Sequence, residues 1–265
     1  MIARGRRNVL GVMVDVVDYD GVVERVLVAA NRREPLAVSA LAVHGVMTGF
    51  DDLEHRWRLN GLDIVTPDGQ PVRWALRLLH RERLPDRVYG PQLMLRLCAA
   101  AEAARIPIYL YGSSEDVLAD LRVGLSGRFP GLTLAGTSPS LFRQVGLDEQ
   151  KEIAARISAS GAGICFVGLG CPRQEVFVSE LRDLVAMPIL AVGAAFDIHA
   201  GRTPEPPGWM QRAGLQWLQR LALEPRRLWR RYLVLNPRFV FHVARQRLGH
   251  HEQAQGHRPA PMGFA

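Results

Sequence analysis

Short apolar runs that end in turn residues recur along the chain and alternate with stretches of helical periodicity. The runs with strand character cover residues 9–17, 37–43, 64–65, 106–111, 132–136, 163–167 and 189–192. Strands that alternate with helices predict a mostly parallel sheet with helices on both faces. The 265 residues, 48% of them hydrophobic, suffice for one large α/β domain with an appendage.

One of these runs breaks off abruptly within residues 62–70, L-D-I-V-T-P-D-G-Q. Pro67 cannot donate a hydrogen bond to a sheet ladder and Gly69 tolerates a positive φ, so the chain turns here. A helix is predicted directly afterwards, at residues 72–79. Asp68 therefore lies between a strand end and a helix start, where open α/β sheets bind ligands. The alternative is that Asp68 only caps the helix or fixes the turn.

Three later strands end in glycine turns, the last of them at Gly193, which predicts open loops at one edge of the sheet. Gly112 and Ser113 follow one strand, and Gly168 and Gly170 follow another, with Glu175 in the same loop. Backbone N–H groups exposed in such turns suit a phosphate, so these residues are candidates for binding a nucleotide or another phosphorylated ligand. Glycine after a strand is also ordinary turn chemistry.

The first two strands are followed by polar residues of a different kind. His44, after the second strand, is a candidate ligand contact, with a hydrogen-bonded surface histidine as the alternative. Asp18-Tyr19-Asp20 matches the D-x-D pattern of metal-dependent sugar transferases, but the favoured interpretation is that Asp20 caps the following helix.

The cysteines and the apolar runs restrict the class of protein further. Cys98, Cys165 and Cys171 form no C-x-x-C pair, which fits a reducing cytosol and argues against a disulfide framework or a zinc site. No apolar run reaches the roughly 20 residues of a membrane-spanning helix. A signal segment is not predicted either, because Asp15 interrupts the apolar stretch near the start. No metal site and no cofactor are predicted.

Positive charge is concentrated in the last quarter of the chain. Residues 202–265 contain eleven arginines and three acids, so they carry the whole net charge of +7 while the remainder is nearly neutral. This shift predicts a core at 1–201, an appendage at 202–248 and a disordered end at 249–265, which is rich in His, Pro, Gln and Gly.

Tryptophan is concentrated in the same appendage, which contains three of the five tryptophans. From a helix start at Glu224-Pro225, Leu228 and Trp229 alternate with arginines at helical spacing. Rings beside a cationic face predict an interfacial contact with an anionic membrane through residues 209–247. The alternative is a helix packed on the core with a solvated basic face. No nucleic-acid-binding motif is present, so nucleic acid is not a predicted partner.

Taken together, these segments resemble the bacterial WecG/TagA/CpsF glycosyltransferase family, from about residue 8 to residue 248. The matching runs are T-P-D-G at 66–69, R-V-Y-G at 87–90, V-G-L-G-C-P-R-Q-E at 167–175, G-A-A-F-D-I-H-A-G at 193–201, G-L-Q-W-L-Q-R-L at 214–221 and E-P-R-R-L-W-R-R-Y at 224–232. Their combination is highly specific, whereas no single run would suffice.

The resemblance implies an inverting, metal-independent transferase that moves a sugar from a UDP-sugar to a polyprenyl-diphosphate-linked sugar at the cytoplasmic membrane face. It also implies a Rossmann-like core and a C-terminal appendage that meets the membrane and helps to close the active site. Asp68 falls on the family's proposed catalytic base, and Arg87 and Gln174 match polar active-site positions. The appendage arginines thought to reach the leaving diphosphate correspond to Arg220, Arg227 and Arg230.

Several positions depart from the family pattern. His44 stands where many members have Asn, Gln92 where many have Asp, and Gln216 where Glu is usual before tryptophan. These departures lie near the presumed sugar and appendage contacts, so they bear on the choice of sugar and slightly favour exopolysaccharide assembly over wall teichoic acid.

Two other classes of protein remain as alternatives. One is a nucleotide-dependent oxidoreductase with a doubly wound fold, against which stands the lack of G-x-G-x-x-G after the first strand. The other is a non-catalytic membrane-binding protein that uses only the appendage. The sequence does not fix the oligomeric state and leaves a homo-oligomer open.

Overall fold

The computed structural model describes residues 1–260 and 263–264, without the side chains of residues 212 and 227. The strands are β1 (Ala3–Val9), β2 (Val12–Val17), β3 (Leu36–Leu41), β4 (Ile64–Pro67), β5 (Ile108–Gly112), β6 (Leu134–Ser138), β7 (Gln144–Val145), β8 (Ile164–Gly168), β9 (Pro188–Ala191) and β10 (Gly263–Phe264). The α-helices of the first two thirds are α1 (Tyr19–Arg32), α2 (Val43–Asp51), α3 (Leu53–Gly61), α4 (Gln70–His80), α5 (Gly90–Ala104), α6 (Glu115–Arg128) and α7 (Leu147–Ala159). They are followed by α8 (Arg173–Leu181), α9 (Ala195–His199), α10 (Gly208–Arg212), α11 (Gln216–Leu223), α12 (Pro225–Trp229) and α13 (Asn236–Arg247), with a π-helix at Arg230–Leu235 before α13.

In the described part of the chain, six strands form a sheet in the order β4-β3-β9-β8-β5-β6. Every neighbouring pair in this sheet is parallel. The predicted α/β, Rossmann-like fold with helices on both faces is confirmed, and a helical basic segment follows the core. Parallel strands place all their carboxyl ends at one edge, which brings together the loops after β3, β4, β5, β8 and β9.

Alternate residues of the central strands belong to two separate hydrophobic clusters, one on each face of the sheet. On β5, Ile108 and Leu110 pack with α1, α5 and α6, whereas Tyr109 and Tyr111 pack with α2, α4, α8 and α13. A strand repeats every two residues, so a continuous apolar run is buried on both faces. This is why the sheet strands appear in the sequence as short uninterrupted apolar runs.

The first predicted strand, at residues 9–17, is wrong in its extent and its partner. The segment instead forms an antiparallel hairpin of β1 and β2, a sheet separate from the parallel one. The turn falls at Leu10 and Gly11, whose φ angles are 55° and 85°. Because a buried leucine takes the first of these positive φ angles, the turn is hidden inside an apolar stretch.

The ends of two neighbouring elements also differ from expectation. Asp18, not Asp20, caps α1, since its Oδ1 accepts a hydrogen bond from the Gly21 N–H at 2.9 Å. Asp20 is exposed and lies 3.3 Å from the Arg96 guanidinium. The second strand ends at Leu41, so His44 lies in the first turn of α2 and not in a loop.

The last of the C-terminal helices, α13, packs against the core. Phe239 and Val243 of α13 are buried in the same cluster as α2 and α4, and Arg238 forms an ion pair with Asp51 at 2.8 Å. The appendage is therefore joined to the core by α13. The proposed domain boundary at residue 202 stays a prediction.

The segment predicted to be disordered, from residue 249 onwards, follows the core surface in its described part. The Arg56 guanidinium donates to the Gln253 carbonyl at 3.0 Å, and Asn60 Nδ2 donates to the Ala254 carbonyl at 2.6 Å. The acceptors are backbone carbonyls, which any residue supplies, so composition gives no sign of these contacts.

The hairpin is attached to the sheet through a buried carboxylate. Asp15 on β2 is 6% exposed, and its Oδ2 accepts a hydrogen bond from the Val65 N–H at 2.8 Å and lies 3.3 Å from Arg6 Nε. Since β4 leads directly to Asp68, this contact fixes the strand that carries Asp68.

We predict that Asp15→Ala lowers the free energy of unfolding by about 2 kcal/mol, because it leaves the buried Val65 N–H without its acceptor and removes the carboxylate beside Arg6 Nε. Urea unfolding followed by circular dichroism measures the change. The control is Asp20→Ala, which removes an exposed carboxylate and should cost less than about 1 kcal/mol. Equal effects of the two substitutions would show that the Asp15 contact does not hold the hairpin.

Candidate active site

Asp68 lies at the carboxyl end of β4, where two strands and a turn converge. Its N–H donates to the Leu41 carbonyl of β3 at 3.1 Å, and its Oδ2 accepts a hydrogen bond from the Gly90 N–H at 3.3 Å. The N-cap of α4 is Gly69, so Asp68 does not cap that helix. The alternative that Asp68 caps the helix is therefore wrong, the alternative that it fixes the turn stays open, and the residue is half-buried.

The charge state of Asp68 is set by burial against nearby arginines. Burial raises its pKa to about 6, although the Arg87 guanidinium, the Gly90 N–H, Arg231 and Arg220 each lower it. A carboxylate with a pKa near 6 is ionised at neutral pH and still accepts a proton readily, which is what a general base requires.

Three arginines from two regions of the chain act on this carboxylate. Arg87, in the turn before α5, is 6% exposed and its guanidinium lies 4.4 Å from the centre of the Tyr89 ring. Arg220 on α11 and Arg231 in the π-helix approach from the appendage, since their charges lower the pKa of Asp68. The predicted Arg87 and Arg220 are thus brought together with Asp68.

The other predicted appendage arginines have different positions. Arg230 is exposed, and its neighbour Arg231 is the residue whose charge acts on Asp68 and His44. The side chain of Arg227 lies outside the described residues. The roles of Arg227 and Arg230 stay predictions, and Arg231 is a site residue that the sequence analysis missed.

His44, in the first turn of α2, contributes a neutral ring to the site. Burial and, to a smaller extent, the charge of Arg231 lower its pKa to about 4. Its Nδ1 is buried without a hydrogen-bond partner among the described residues. A neutral imidazole with a free ring nitrogen can donate to or accept from a sugar hydroxyl.

Gln174 and Glu175, which are predicted to bind substrate, are both buried at the start of α8. Gln174 Nε2 donates to Glu175 Oε1 at 2.8 Å, and Gln174 Oε1 accepts from the Gly193 N–H at 3.2 Å. Ser39 of β3 donates to the same Glu175 oxygen at 3.1 Å, while burial raises the pKa of Glu175. The two side chains belong to α8 and link that helix to β3 and to the loop after β9.

Packing explains two of the glycines in the predicted phosphate loops, because a side chain at either position would collide with its neighbours. A Cβ on Gly112 would lie 2.9 Å from the Gly168 backbone, and one on Gly168 would lie 2.6 Å from the Phe196 ring. Gly170, with φ of 75°, has open space beside it, and Ser113 also has a positive φ. Phosphate binding by these four residues stays a prediction.

Tyr19, the middle residue of the D-x-D pattern, is a second site residue that the sequence analysis missed. Its hydroxyl accepts a hydrogen bond from the Tyr89 N–H at 2.9 Å, and the Arg96 guanidinium lies 4.4 Å from its ring centre. Burial raises its pKa to about 12, and the Asp68 charge contributes to the rise. Tyr19 thereby holds the turn whose next residue, Gly90, donates to Asp68.

One face of α11 carries polar atoms that lack partners. Gln216, Gln219 and Arg220, at positions i, i+3 and i+4, lie on the same side of the helix. Gln216 Nε2, Gln219 Oε1 and Arg220 Nε are buried without a hydrogen-bond partner among the described residues. Buried polar groups are nearly always paired in native proteins, so this face is suited to a polar ligand.

The fold is an α/β fold with a parallel sheet, and the site holds a carboxylate of raised pKa on which three arginines act. The model of the Glycosyl transferase WecG/TagA/CpsF family matches residues 7–253. The chain belongs to this family of glycosyltransferases, and the oxidoreductase and non-catalytic alternatives are set aside.

Two relatives have the same name, N-acetylglucosaminyldiphosphoundecaprenol N-acetyl-beta-D-mannosaminyltransferase. The protein from Bacillus spizizenii is 31% identical over 197 residues, which cover 74% of this chain and 72% of the relative. The protein from Bacillus subtilis is 30% identical over 189 residues, 71% of each chain.

We predict that Tyr19→Phe shifts the acid limb of the kcat/KM profile to higher pH, because the loosened turn weakens the Gly90 hydrogen bond that favours ionised Asp68. The substitution should also cost about 1 kcal/mol of stability for the lost hydrogen bond. A pH series of initial rates and a urea titration measure the two effects.

The matched control is Tyr109→Phe, which removes a hydroxyl that lies 2.7 Å from Ser138 Oγ in the core. It should lose similar stability and keep the acid limb of the wild type. If both variants leave the pH profile unchanged, Tyr19 has only a structural role.

Proposed function

We propose that the protein is an inverting, metal-independent glycosyltransferase that moves a sugar from a UDP-sugar to a polyprenyl-diphosphate-linked sugar. The carrying observation is Asp68, a half-buried carboxylate with a pKa of about 6 beside three arginines from core and appendage. The reaction takes place at the cytoplasmic face of the membrane, in the assembly of a cell-surface polysaccharide.

The acceptor class is supported by the relatives, whose printed name describes transfer of N-acetylmannosamine to N-acetylglucosaminyldiphosphoundecaprenol. An acceptor of this kind joins a sugar to a diphosphate and a long apolar chain. It requires hydrogen-bonding groups for the sugar, cations for the diphosphate and a location at the membrane surface, and the site offers the first two.

The chemical step is a single in-line displacement at the anomeric carbon. The acceptor oxygen forms a bond to that carbon while the bond from the carbon to the diphosphate oxygen breaks. The acceptor hydroxyl gives its proton to the Asp68 carboxylate, a role worth typically 10²–10⁴-fold in rate. One displacement inverts the configuration of the transferred sugar.

The departing diphosphate gains negative charge, which Arg87, Arg220 and Arg231 stabilise. Guanidinium groups form charge-assisted, bidentate hydrogen bonds to phosphate oxygens, and fixed charges of this kind need no reorganisation during the reaction. In this proposal the arginines perform the role that a divalent cation has in metal-dependent transferases. Arg227 and Arg230 are further candidates for the same contact.

The neutral polar groups of the site bind the sugars. His44 Nδ1, Gln216 Nε2 and Gln219 Oε1 offer both donors and acceptors, which is the combination that pyranose hydroxyl and acetamido groups require. Gln174 and the loops at Gly112 and Gly168 are candidates for the nucleotide portion of the donor.

The membrane contact is assigned to the outer side of the appendage. Trp209, Trp229 and Leu233 are 48–59% exposed there, close to several arginines. Rings at headgroup level beside cations are typical of an interfacial surface. No described helix combines the length and the hydropathy of a membrane span.

The donor and acceptor are tested by incubating the protein with a panel of UDP-sugars and short-chain prenyl-diphosphate glycosides, with products read by mass spectrometry. The proposal expects a single disaccharide-diphosphate product, with the anomeric configuration of the new bond opposite to that in the donor. Retention of configuration, or transfer to soluble sugars only, would contradict it.

We predict that Asp68→Asn lowers kcat by about 10²–10⁴-fold, because the amide keeps the shape of the side chain and cannot take the proton. The rate of UDP release with donor and acceptor measures the loss. Asp20→Asn, in the exposed acid of the D-x-D pattern, should keep the wild-type rate. Near wild-type activity of purified Asp68→Asn would remove Asp68 from the mechanism.

We predict that Gln216→Met stabilises the substrate-free protein by about 1 kcal/mol, because an unpartnered buried amide is replaced by an apolar group of similar shape. The same change should raise KM, since the amide binds substrate. Thermal unfolding and saturation kinetics measure the two effects.

Gln246→Met is the matched control for this substitution. Gln246 is equally buried, but its side chain bonds the Leu10 N–H at 2.9 Å and the Asn8 carbonyl at 3.0 Å. Its loss should destabilise the protein and leave KM unchanged. Destabilisation by Gln216→Met with an unaltered KM would show that Gln216 is a structural residue.

A further inference from the structure

The outer face of α4 combines an exposed aromatic ring with cations. Trp74, Arg77 and Leu78, at positions i, i+3 and i+4, form one stripe along the helix, Arg81 follows directly after its end, and all four are exposed. Trp74 is 51% and Leu78 52% exposed, although α4 belongs to the core and not to the appendage. The opposite face, with Val72 and Leu76, is fully buried.

The positive charge of this face is not neutralised within the chain. Glu82, the acid beside it, is engaged by Arg7 at 2.5 Å and Arg4 at 3.5 Å, both from β1. The guanidinium groups of Arg77 and Arg83 have no ion-pair or hydrogen-bond partner among the described residues, so their charge is free for an external anion.

A cavity of about 350 Å³ opens at the same place. Its lining consists of Arg73, Trp74, Arg77, Glu82, Arg83 and Leu84. The Arg73 guanidinium is held by the Leu84 carbonyl at 2.6 Å and the Pro85 carbonyl at 3.0 Å, which keeps the loop after α4 beside the helix. The cavity is large enough for a phosphate group and leaves Trp74 at its rim.

We propose that this α4 face is a second contact with an anionic phospholipid surface, located on the core itself. Lipid phosphate enters the cavity between Arg77 and Arg83, while Trp74 and Leu78 lie at the level of the headgroups. The α4 face thus extends the membrane contact that the proposed function assigns to the appendage. This inference rests on the proposed function only for its biological setting.

The chemistry of the α4 face favours an anionic membrane surface over a soluble anion. A soluble phosphate needs only cations, whereas this stripe also exposes two large apolar side chains next to the cations. Trp74 also lies against the start of α11, since a Cβ on Gly214 would be 3.2 Å from its ring. The α4 face is therefore continuous with the appendage, whose exposed surface has the same composition.

Sedimentation of the full-length protein with vesicles tests the proposal without any substrate. The vesicles contain equal parts of phosphatidylglycerol and phosphatidylcholine, with pure phosphatidylcholine as the neutral reference. Each arginine near an anionic surface contributes to binding, so Arg77→Gln with Arg83→Gln should weaken binding roughly thirtyfold. The control pair, Arg122→Gln with Arg128→Gln on α6, removes the same charge from another exposed helix and should bind like the wild type.

A polarity-sensitive fluorophore locates the contact in a second measurement. The label at Leu78→Cys should shift to the blue when anionic vesicles are added, and the label at Val123→Cys, on α6, should not. Native Cys171 is partly buried and gives the same background in both proteins.

Three results would overturn the proposal. One is wild-type vesicle binding by the α4 pair, and another is an equal loss for the α4 and α6 pairs. The third is binding of a labelled single-stranded oligonucleotide by the wild type but not the α4 pair, with no vesicle binding. Vesicle binding needs no sugar transfer, so failure of this inference and failure of the proposed function are separate observations.

Discussion

The site depends on the burial of one carboxylate near arginines with which it forms no ion pair. Within the described residues, no guanidinium comes within ion-pair distance of Asp68, yet Arg87, Arg220 and Arg231 all act on its charge. A close pair would hold the pKa of the carboxyl low and make it a weak base. At greater distance burial dominates, the pKa rises to about 6, and the cations stay available for a second anion.

This balance requires a rigid frame, which the parallel sheet and a buried polar network supply. Asp68 is fixed through backbone groups, because its own N–H bonds β3 and the turn after Pro67 is held by the Val88 N–H at 3.0 Å. Gln174 and Glu175 of α8 bond to β3 and to the loop after β9. These two residues, which are predicted ligand contacts, thus also hold the frame of the site.

The parts of the fold that depend on local pattern could be predicted from the sequence. Uninterrupted apolar runs indicated the buried strands, and Pro67 with Gly69 located Asp68 at a strand end. The hairpin was missed because its turn uses Leu10, an apolar residue at positive φ. Tyr19 was missed because its role depends on a partner, Tyr89, seventy positions away, and such a contact has no periodic signal.

The appendage shows a second limit of prediction from sequence, in a helical segment. The family resemblance singled out Arg230, and the segment from Arg230 to Leu235 is a π-helix, whose wider turn changes which side chains share a face. The charge of its neighbour Arg231 lowers the pKa of both Asp68 and His44. Sequence periodicity assumes 3.6 residues per turn, so it does not show which arginine of a π-helix lies near the site, and the role of Arg230 stays a prediction.

The proposed substrate-binding face and the proposed membrane contact meet just before α11. Gly214, with φ of 72°, brings this helix against Trp74 and Gln70, and a side chain there would meet both. The unpartnered face of α11 lies beyond this contact, and α4 begins two residues after Asp68. On the two proposals above, a membrane that held α4 would also restrain α11, whose Gln216, Gln219 and Arg220 carry buried polar atoms without a partner among the described residues. A substrate bound by these groups would then be held best at the membrane, which would favour transfer over hydrolysis of the donor in solution.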